Sequence, residues 1–377
     1  MKEREKMQTL FSEYIEDTFL ELLKKKERPA TKNKTLSDYF YICSTSNAEN
    51  YFCYLWELHD HYIFCRKSPQ DPEIAFMDIQ FSFMKLTSDT KIKGEDYFGI
   101  KFSKKKTFEA IFHKDKAVIM KWFNHLKKYC ILTKFKHDYE TKSVLGKGNF
   151  AKVYCVSSKE TNKEYAVKAF SKASIMPDSV EVKCLQYEIK MMKAMNHDRI
   201  VRLHELYEGE NYIYCVMEYY KGSDLFKSII KKGPQPEAKA LAITQQILEV
   251  LAYMHDLEIM HRDLKPENIM FKGTDDTIDI GIVDLGFATY LADYKKLFVR
   301  CGTPGYVAPE ILNDQNYDCK VDVYSTGIIF YIILTGLIPF NGSSYDEIVK
   351  KNMKAEIKFD FSKQNINVKK ESSITSP

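Results

Sequence analysis

The chain has 377 residues, 45% apolar and 29% charged, which suits two or three globular domains, each able to bury a core without disulfide or metal staples. Lys plus Arg number 56 against 52 Asp plus Glu, and a net charge of +4 gives no case for a nucleic-acid partner. Nine cysteines, an odd count with no CxxC pair, argue against a disulfide framework or a thiolate zinc site and point to a reducing, cytoplasmic compartment.

The charged start, Met1-Lys2-Glu3-Arg4, leads into no signal-type apolar block, and no Gly follows Met1 for myristoylation. Met7, Leu10, Phe11, Tyr14, Thr18, Phe19 and Leu22 recur near helical spacing. With Lys24-Lys25-Lys26 and Pro29 as stop signals, they predict an amphipathic helix within residues 1–30. That helix either docks on the rest of the chain or lies on a membrane surface through its lysines. Residues 31–37 are polar and read as a linker. From residue 38 to 112, short aromatic and β-branched runs alternate with turn clusters such as Ser68-Pro69-Gln70-Asp71-Pro72, predicting a small antiparallel sandwich or barrel. Lys114–Tyr129 then changes to helical period, with Val118, Ile119, Trp122, Phe123 and Leu126 on one face. Residues 131–138 read as a short link. Farther on, the apolar run Val323–Phe340 approaches membrane-span length, but Ser325, Thr326, Gly327, Thr335 and Gly336 interrupt it and Pro339 breaks it, so a buried helix is predicted.

Six or seven short strands followed by one helix with a central Trp122 resemble the pleckstrin-homology fold over residues 36–132. The resemblance implies recruitment to phosphoinositides or an anionic membrane surface, since many members bind headgroups through basic residues of the first hairpin loop. Here that loop, Ser44-Thr45-Ser46-Asn47-Ala48-Glu49-Asn50, has no Lys or Arg. Residues 1–137 carry 25 Lys plus Arg against 19 Asp plus Glu, and the remainder 31 against 33, so the basic excess lies in the N-terminal part. An autoinhibitory or docking module is the alternative.

The chemistry-bearing run begins at Gly146-Lys147-Gly148-Asn149-Phe150-Ala151, after a strand-like Tyr139–Leu145. Two glycines allow a turn whose backbone can approach phosphates. The loop lacks the Gly-Lys-Ser/Thr end of a Walker motif, and no helix follows, as a dinucleotide fingerprint needs. Next come Tyr165-Ala166-Val167-Lys168, a short strand ending in Lys, and a helical Cys184–Met195 bearing Glu188. His261-Arg262-Asp263-Leu264-Lys265-Pro266-Glu267-Asn268, Asp284-Leu285-Gly286, the run Gly302 to Glu310 and Asp322 to Gly327 follow in that order. Phosphoryl transfer needs these types: a carboxylate near the attacking hydroxyl, two oxygen ligands for Mg²⁺ and a cation for the phosphates.

Over residues 139–361 the sequence resembles the eukaryotic protein kinases, and Gly-Thr-Pro-Gly-Tyr-Val-Ala-Pro-Glu is most similar to the calmodulin-dependent group. The resemblance implies the following roles. Gly146, Lys147 and Gly148 cover the ATP phosphates, and Lys168 pairs with them, held by Glu188. Asp263 accepts or orients the substrate proton, Lys265 steadies the transferred group, and Asn268 and Asp284 hold Mg²⁺. Met217 is the gatekeeper and Glu218 to Tyr220 the hinge, while Val153, Ala166 and Met270 line the adenine slot. Leu203, Met192, Leu285 and His261 take the regulatory-spine positions. Lys265 and Thr303 mark a serine/threonine kinase, and Asp224 and Glu267 imply protein substrates with basic residues near the phosphoacceptor.

Four features depart from the family pattern. The third loop glycine is Ala151, and the metal motif reads Asp-Leu-Gly. Where relatives place a phosphorylated Thr before the Cys-Gly-Thr-Pro run, this chain has Val299-Arg300, so Arg262 has no loop phosphate to meet there. Lys363–Pro377 is polar, so the family's last C-lobe helices, with the arginine that pairs with the Glu at position 310, are not expected.

The predicted architecture is α+β. An N-terminal helix (1–30) and a pleckstrin-homology-like domain (36–132) precede a bilobal kinase domain with a truncated C-lobe (139–361) and a polar tail (362–377). The predicted activity is Mg-ATP-dependent phosphorylation of Ser/Thr in proteins, regulated or targeted by the N-terminal domain. The rivals are a silent kinase fold acting as a scaffold and a membrane-recruited adaptor.

Overall fold

The computed structural model describes residues 20–22, 28–31, 34–43, 51–92, 94–104, 107–148, 151–174, 180–275, 278–295 and 300–357. The first hairpin loop and residues 362–377 lie outside them. The chain divides into two compact units, Met1–Ile189 with Arg202–Tyr219, and Lys190–Val201 with Tyr220–Pro377.

The first unit opens with β1 (Leu20–Leu22), β2 (Lys34–Cys43), β3 (Tyr51–His59), β4 (Tyr62–Arg66), β5 (Ala75–Asp78), β6 (Phe83–Ile92), β7 (Glu95–Lys104), β8 (Thr107–His113) and α1 (Lys116–Leu126). Strands β2 to β8 form an antiparallel sheet in the order β5-β4-β3-β2-β8-β7-β6, two runs of sequential strands joined where β2 pairs with β8, and among the described residues it does not close into a barrel. Period-two alternation sends Phe40 and Ile42 of β2 into the core while Tyr39 stays exposed. Helix α1 starts at Asp115, whose carboxylate accepts the Ala117 N–H at 2.7 Å. It buries Ile119, Trp122 and Leu126. The Trp122 indole N–H donates to Asp38 at 2.7 Å, and its ring meets Phe40 edge-on at 4.9 Å. One side chain thus ties the helix to β2 by packing and by a charge-assisted bond.

Two expectations are corrected here. Leu20–Leu22 is a strand, not part of a helix, and pairs antiparallel with β5, Leu20 opposite Met77. An open sheet edge recruits extended chain through its unpaired N–H and C=O groups, and this overrides local helical spacing. The rest of the predicted helix lies outside the described residues, apart from residues 28–30, which are not helical. The polar run at 31–37 is not all linker, because β2 begins at Lys34, whose ammonium pairs with Glu57 of β3 at 3.0 Å.

After α1 come β9 (Ile131–Leu132), α2 (Phe135–Asp138), β10 (Tyr139–Lys147), β11 (Ala151–Ser158), β12 (Glu164–Ser171), α3 (Val180–Ala194), β13 (Leu203–Glu208) and β14 (Tyr212–Met217). The link at 131–138 is itself structural. Ile131 pairs in parallel with Phe83 of β6 and with Leu206 of β13. Through β9 this sheet continues into the strands β13-β14-β12-β11-β10. Beside this seam Phe135 stacks on Tyr214 with ring centres 4.0 Å apart. The Glu205 carboxylate accepts from the hydroxyls of Tyr139 and Tyr207, both at 2.8 Å, and lies 3.3 Å from the Lys127 ammonium of the segment after α1. Burial, and then the charge of Glu205, push both tyrosine pKa values up, so these hydroxyls stay protonated donors.

The second unit holds α4 (Leu225–Lys232), α5 (Glu237–Asp256), β15 (Ile259–Met260), β16 (Ile269–Phe271), β17 (Ile280–Ile282), β18 (Thr289–Tyr290), α6 (Pro309–Leu312), α7 (Lys320–Thr335) and α8 (Tyr345–Lys354). Helix α7 buries Val321, Ile328, Ile329, Ile332 and Ile333 and stops at Gly336, left-handed at φ +68°, whose N–H returns to the Ile332 carbonyl. Among the described residues no helix is long and apolar enough to cross a membrane.

Candidate active site

In the first unit, β10 and β11 form a hairpin with Gly146 opposite Val153 and Lys147 opposite Lys152. The Gly148 N–H donates to the Ala151 carbonyl at 2.9 Å, and Asn149 and Phe150 at the tip lie outside the described residues. A Cβ at Gly146 would meet open space, and one at Gly148 only the Ala151 carbonyl at 3.5 Å. Protein packing therefore does not demand these glycines; the room they leave suits the approach of a ligand to backbone.

Lys168 lies in the middle of β12, not at its end, between Val153 of β11 and Cys215 of β14. The strand continues to Ser171 because Ala169 and Phe170 still bury side chains. The Lys168 ammonium donates to the Glu188 carboxylate of α3 at 2.5 Å, and Glu188 is buried. Ala166 pairs with Met217 at the end of β14, and the following Glu218 N–H donates to the Arg202 carbonyl at 3.0 Å. Val153 and Ala166 are half-buried, while Met217 and Leu203 are buried.

In the second unit the loop His261–Asn268 converges on Asp263, which is 7% exposed. Its carboxylate accepts from the Thr303 hydroxyl at 2.6 Å and lies 2.9 Å from the Lys265 ammonium. Lys265 also donates to Thr303 at 2.7 Å, closing a triangle of side chains. The Asn268 amide N–H₂ donates to the Asp263 carbonyl at 2.8 Å. Hairpin β16–β17 pairs Ile269 with Ile282, and the Val283 N–H donates to the Asn268 carbonyl at 3.0 Å, which brings Asp284 alongside Asn268. One Asp284 oxygen accepts from the Gly286 N–H at 3.1 Å. The Asn268 nitrogen is committed to Asp263, so its oxygen is the atom that could ligate a metal. With the Asp284 carboxylate this is an all-oxygen donor pair that suits a hard divalent cation.

The loop is held from below by Asp322 of α7, which is fully buried. Its oxygens accept the backbone N–H groups of His261 and Arg262, both at 2.8 Å, and one lies 3.0 Å from His255 Nε2. These bonds keep Arg262 at φ +66°, left-handed backbone that a non-glycine residue adopts only when its surroundings impose it. The Arg262 guanidinium is buried and donates to the Phe287 carbonyl at 2.9 Å and the Tyr317 hydroxyl at 3.1 Å. Burial raises the pKa of Tyr317, so the hydroxyl remains neutral while it accepts from Arg262.

Met192, Leu285 and His261 are buried and Met270 is half-buried. Tyr220 is buried against Gly281, where any Cβ would stand 2.6 Å from its ring. Asp224 caps α4 by accepting the Lys227 N–H at 2.8 Å, and its other oxygen meets the Lys227 ammonium at 2.9 Å. Glu267 is exposed on the turn Pro266–Asn268. Sequence reasoning quoted Asp322 within a motif without giving it a role, and it missed Tyr317 and His255. An acid six residues ahead of the uninterrupted apolar stretch of α7 was the available signal for Asp322; nothing marked the other two.

The protein kinase domain family matches residues 139–377. Myosin light chain kinase A of Dictyostelium discoideum is 38% identical over 228 residues, 60% of this chain and 77% of that protein. Calcium-dependent protein kinase 5 of Plasmodium berghei is 42% identical over 219 residues, 58% of this chain and 38% of the relative. Serine/threonine-protein kinase DCLK3 of Mus musculus is 39% identical over 213 residues, 56% of this chain and 26% of the relative. The chain thus spans well under half the length of the last two. The chain belongs to the protein kinase family, among the serine/threonine kinases.

Proposed function

We propose that the chain transfers the γ-phosphoryl group of Mg-ATP to Ser or Thr hydroxyls of proteins bearing basic residues near the acceptor, and that it does so without a phosphate on its activation segment. The wiring of Asp263 to Thr303, Lys265 and Asn268 supports this reading most strongly. Asp263 takes the acceptor proton as the new O–P bond forms and the bond to the β,γ-bridging oxygen breaks, ADP leaving with that electron pair. Lys265 faces the charge that spreads over the transferred group, and Lys168, oriented by Glu188, faces the nucleotide phosphates. Asn268 and Asp284 would hold magnesium, which when bound neutralises phosphate charge.

Independence from loop phosphorylation is supported by two neutral groups that meet Arg262. The Tyr317 hydroxyl and the Phe287 carbonyl already fix this guanidinium. The basophilic preference is supported by exposed Glu267; Asp224 would contribute only by giving up its own Lys227. For the N-terminal module, seven strands followed by a helix built around Trp122 support a pleckstrin-homology-like module. We assign it a targeting or regulatory role at an anionic membrane surface or at the kinase itself.

A peptide library varied at the positions before the phosphoacceptor tests the substrate reading. Preference for Arg or Lys supports it, and equal rates on acidic or neutral peptides would refute it. Flotation with liposomes, with and without phosphoinositides, tests targeting: binding that does not depend on lipid charge, or no binding, would contradict the membrane role.

A further inference from the structure

Thr303 is held at Asp263 and Lys265 by its hydroxyl, but the backbone that carries it is irregular. Gly302 and Gly305 are left-handed, at φ +97° and +98°, and Gly302–Val307 lies in no helix or strand. Such a segment has no ladder to satisfy its peptide groups, and where they are buried each needs a partner from elsewhere. One comes from α7: the Ser325 hydroxyl donates to the Tyr306 carbonyl at 2.9 Å. Two come from a single residue of α8. The Asn352 side-chain oxygen accepts the Gly305 N–H at 2.8 Å, and its nitrogen donates to the Val307 carbonyl at 2.9 Å. The carboxamide thus meets an N–H and a C=O two residues apart, as a neighbouring strand would.

The residue type is informative. Val349, Asn352 and Met353 share one face of α8 by helical spacing, and Val349 and Met353 pack on the cluster that includes Val307, Ala308 and Ile311. An apolar residue would be the default between them. Asn352 is instead fully buried, which is unfavourable unless its polar atoms are bonded. Helix α8 is firmly placed to hold it: Ser344 and Glu347 cap its start, and Lys351 donates to the Asn341 carbonyl at 2.8 Å.

We propose that Asn352 is a positioning residue for protein-substrate phosphorylation: through Gly305 and Val307 it fixes the segment that carries Thr303, and thereby the alignment of the acceptor hydroxyl on Asp263. The inference rests on the kinase reading above. It needs no contact between Asn352 and ATP, so nucleotide binding should be insensitive to it.

The test compares the intact chain with Asn352→Leu and Asn352→Asp in steady state, varying a basic Ser/Thr peptide and ATP separately. A misplacement of about 1 Å at a reacting group costs about 10²-fold. For Asn352→Leu, kcat/KM for the peptide should fall by about that factor while KM for ATP moves less than about twofold. Asn352→Asp keeps the acceptor for Gly305 but turns a carboxylate oxygen on the Val307 carbonyl, so kcat/KM for the peptide should fall at least as far, and it carries the decision if the leucine variant does not fold. Peptide and ATP parameters falling together in step with melting temperature would make Asn352 merely structural and overturn the proposal, as would unchanged peptide kinetics in both variants. An inactive parent chain would instead overturn the kinase reading on which the proposal stands.

Discussion

The loop around Asp263 and the module around Trp122 are both tightly held, and the materials differ. Around the loop of the second unit the buried groups are charged or polar: Asp322, Arg262, Asp263 and Asn268 lie below 8% exposure and are joined through hydrogen bonds to one another's side chains or backbone. In the N-terminal module the largest buried side chains are rings, with Phe40, Trp56, Phe64, Phe102 and Trp122 at 1% exposure or less, and the Trp122–Asp38 bond and the Glu57–Arg66 pair are polar ties at their margin. Buried charge is tolerated only when each partner is present in the right place, so the catalytic loop leaves little latitude in residue identity. A hydrophobic core accepts many residues of suitable size. The comparison separates a region specified by chemistry from one specified by pattern.

The sharpest way to break it is Asp322→Ala. Two buried backbone N–H groups, of His261 and Arg262, would lose their acceptor at about 1–3 kcal/mol each, so a loss of roughly 2–6 kcal/mol is expected in urea unfolding, together with loss of phosphotransfer. Full activity in that variant would show that the ionic network does not hold the loop. Trp122→Phe should cost less, about 1.5–3 kcal/mol for a hydrogen bond to a charged acceptor. Trp56 is the one tryptophan that remains, and its fluorescence would follow the module's transition. Specific activity measured well below that transition should be unchanged; a proportional fall would mean that the shared sheet at β9 couples the module to catalysis.

The smallest effect concerns pH. Hydrogen bonding to Lys351 and then to Ser343 holds the Glu347 carboxyl down to about 2, from an ordinary value of 4.5. A depressed carboxyl stabilises the fold above its unfolded pKa and loses that contribution as pH falls through the folded one. The start of α8 should therefore be fully protected above about pH 4.5 and loosen progressively toward pH 2, as read by amide exchange of Ser343. Exchange that is flat across this window would remove the cap from the account.

The same contrast explains what could be read from the residues alone. Asp263, Lys265, Asn268 and Asp284 were singled out through the resemblance of their motifs to the protein kinases, and the structure brings the first three into contact and sets Asp284 beside Asn268. A succession of six or seven strands and then a helix was legible from alternation and the later change of period, though no run was marked at β5. Strand β1 was not, since pairing to the edge of β5 is a tertiary event. Nor was β9, two apolar residues in a polar stretch whose strand character comes wholly from the neighbours β6 and β13. Tyr317 and Asn352 act through partners 55 and 45–47 residues away, with no local signature of that reach.

The central claim is that the catalytic loop is assembled by the chain's own side chains and works without a phosphate on the activation segment. The most direct measurement is Mg-ATP-dependent phosphorylation of a basic Ser/Thr peptide by the phosphatase-treated 377-residue chain, beside Asp263→Asn. The expected result is activity that survives phosphatase and falls by about 10²–10⁴-fold in the variant. Activity abolished by phosphatase and restored by a phosphate on the segment between Gly286 and Gly302, or equal rates in chain and variant, would contradict it.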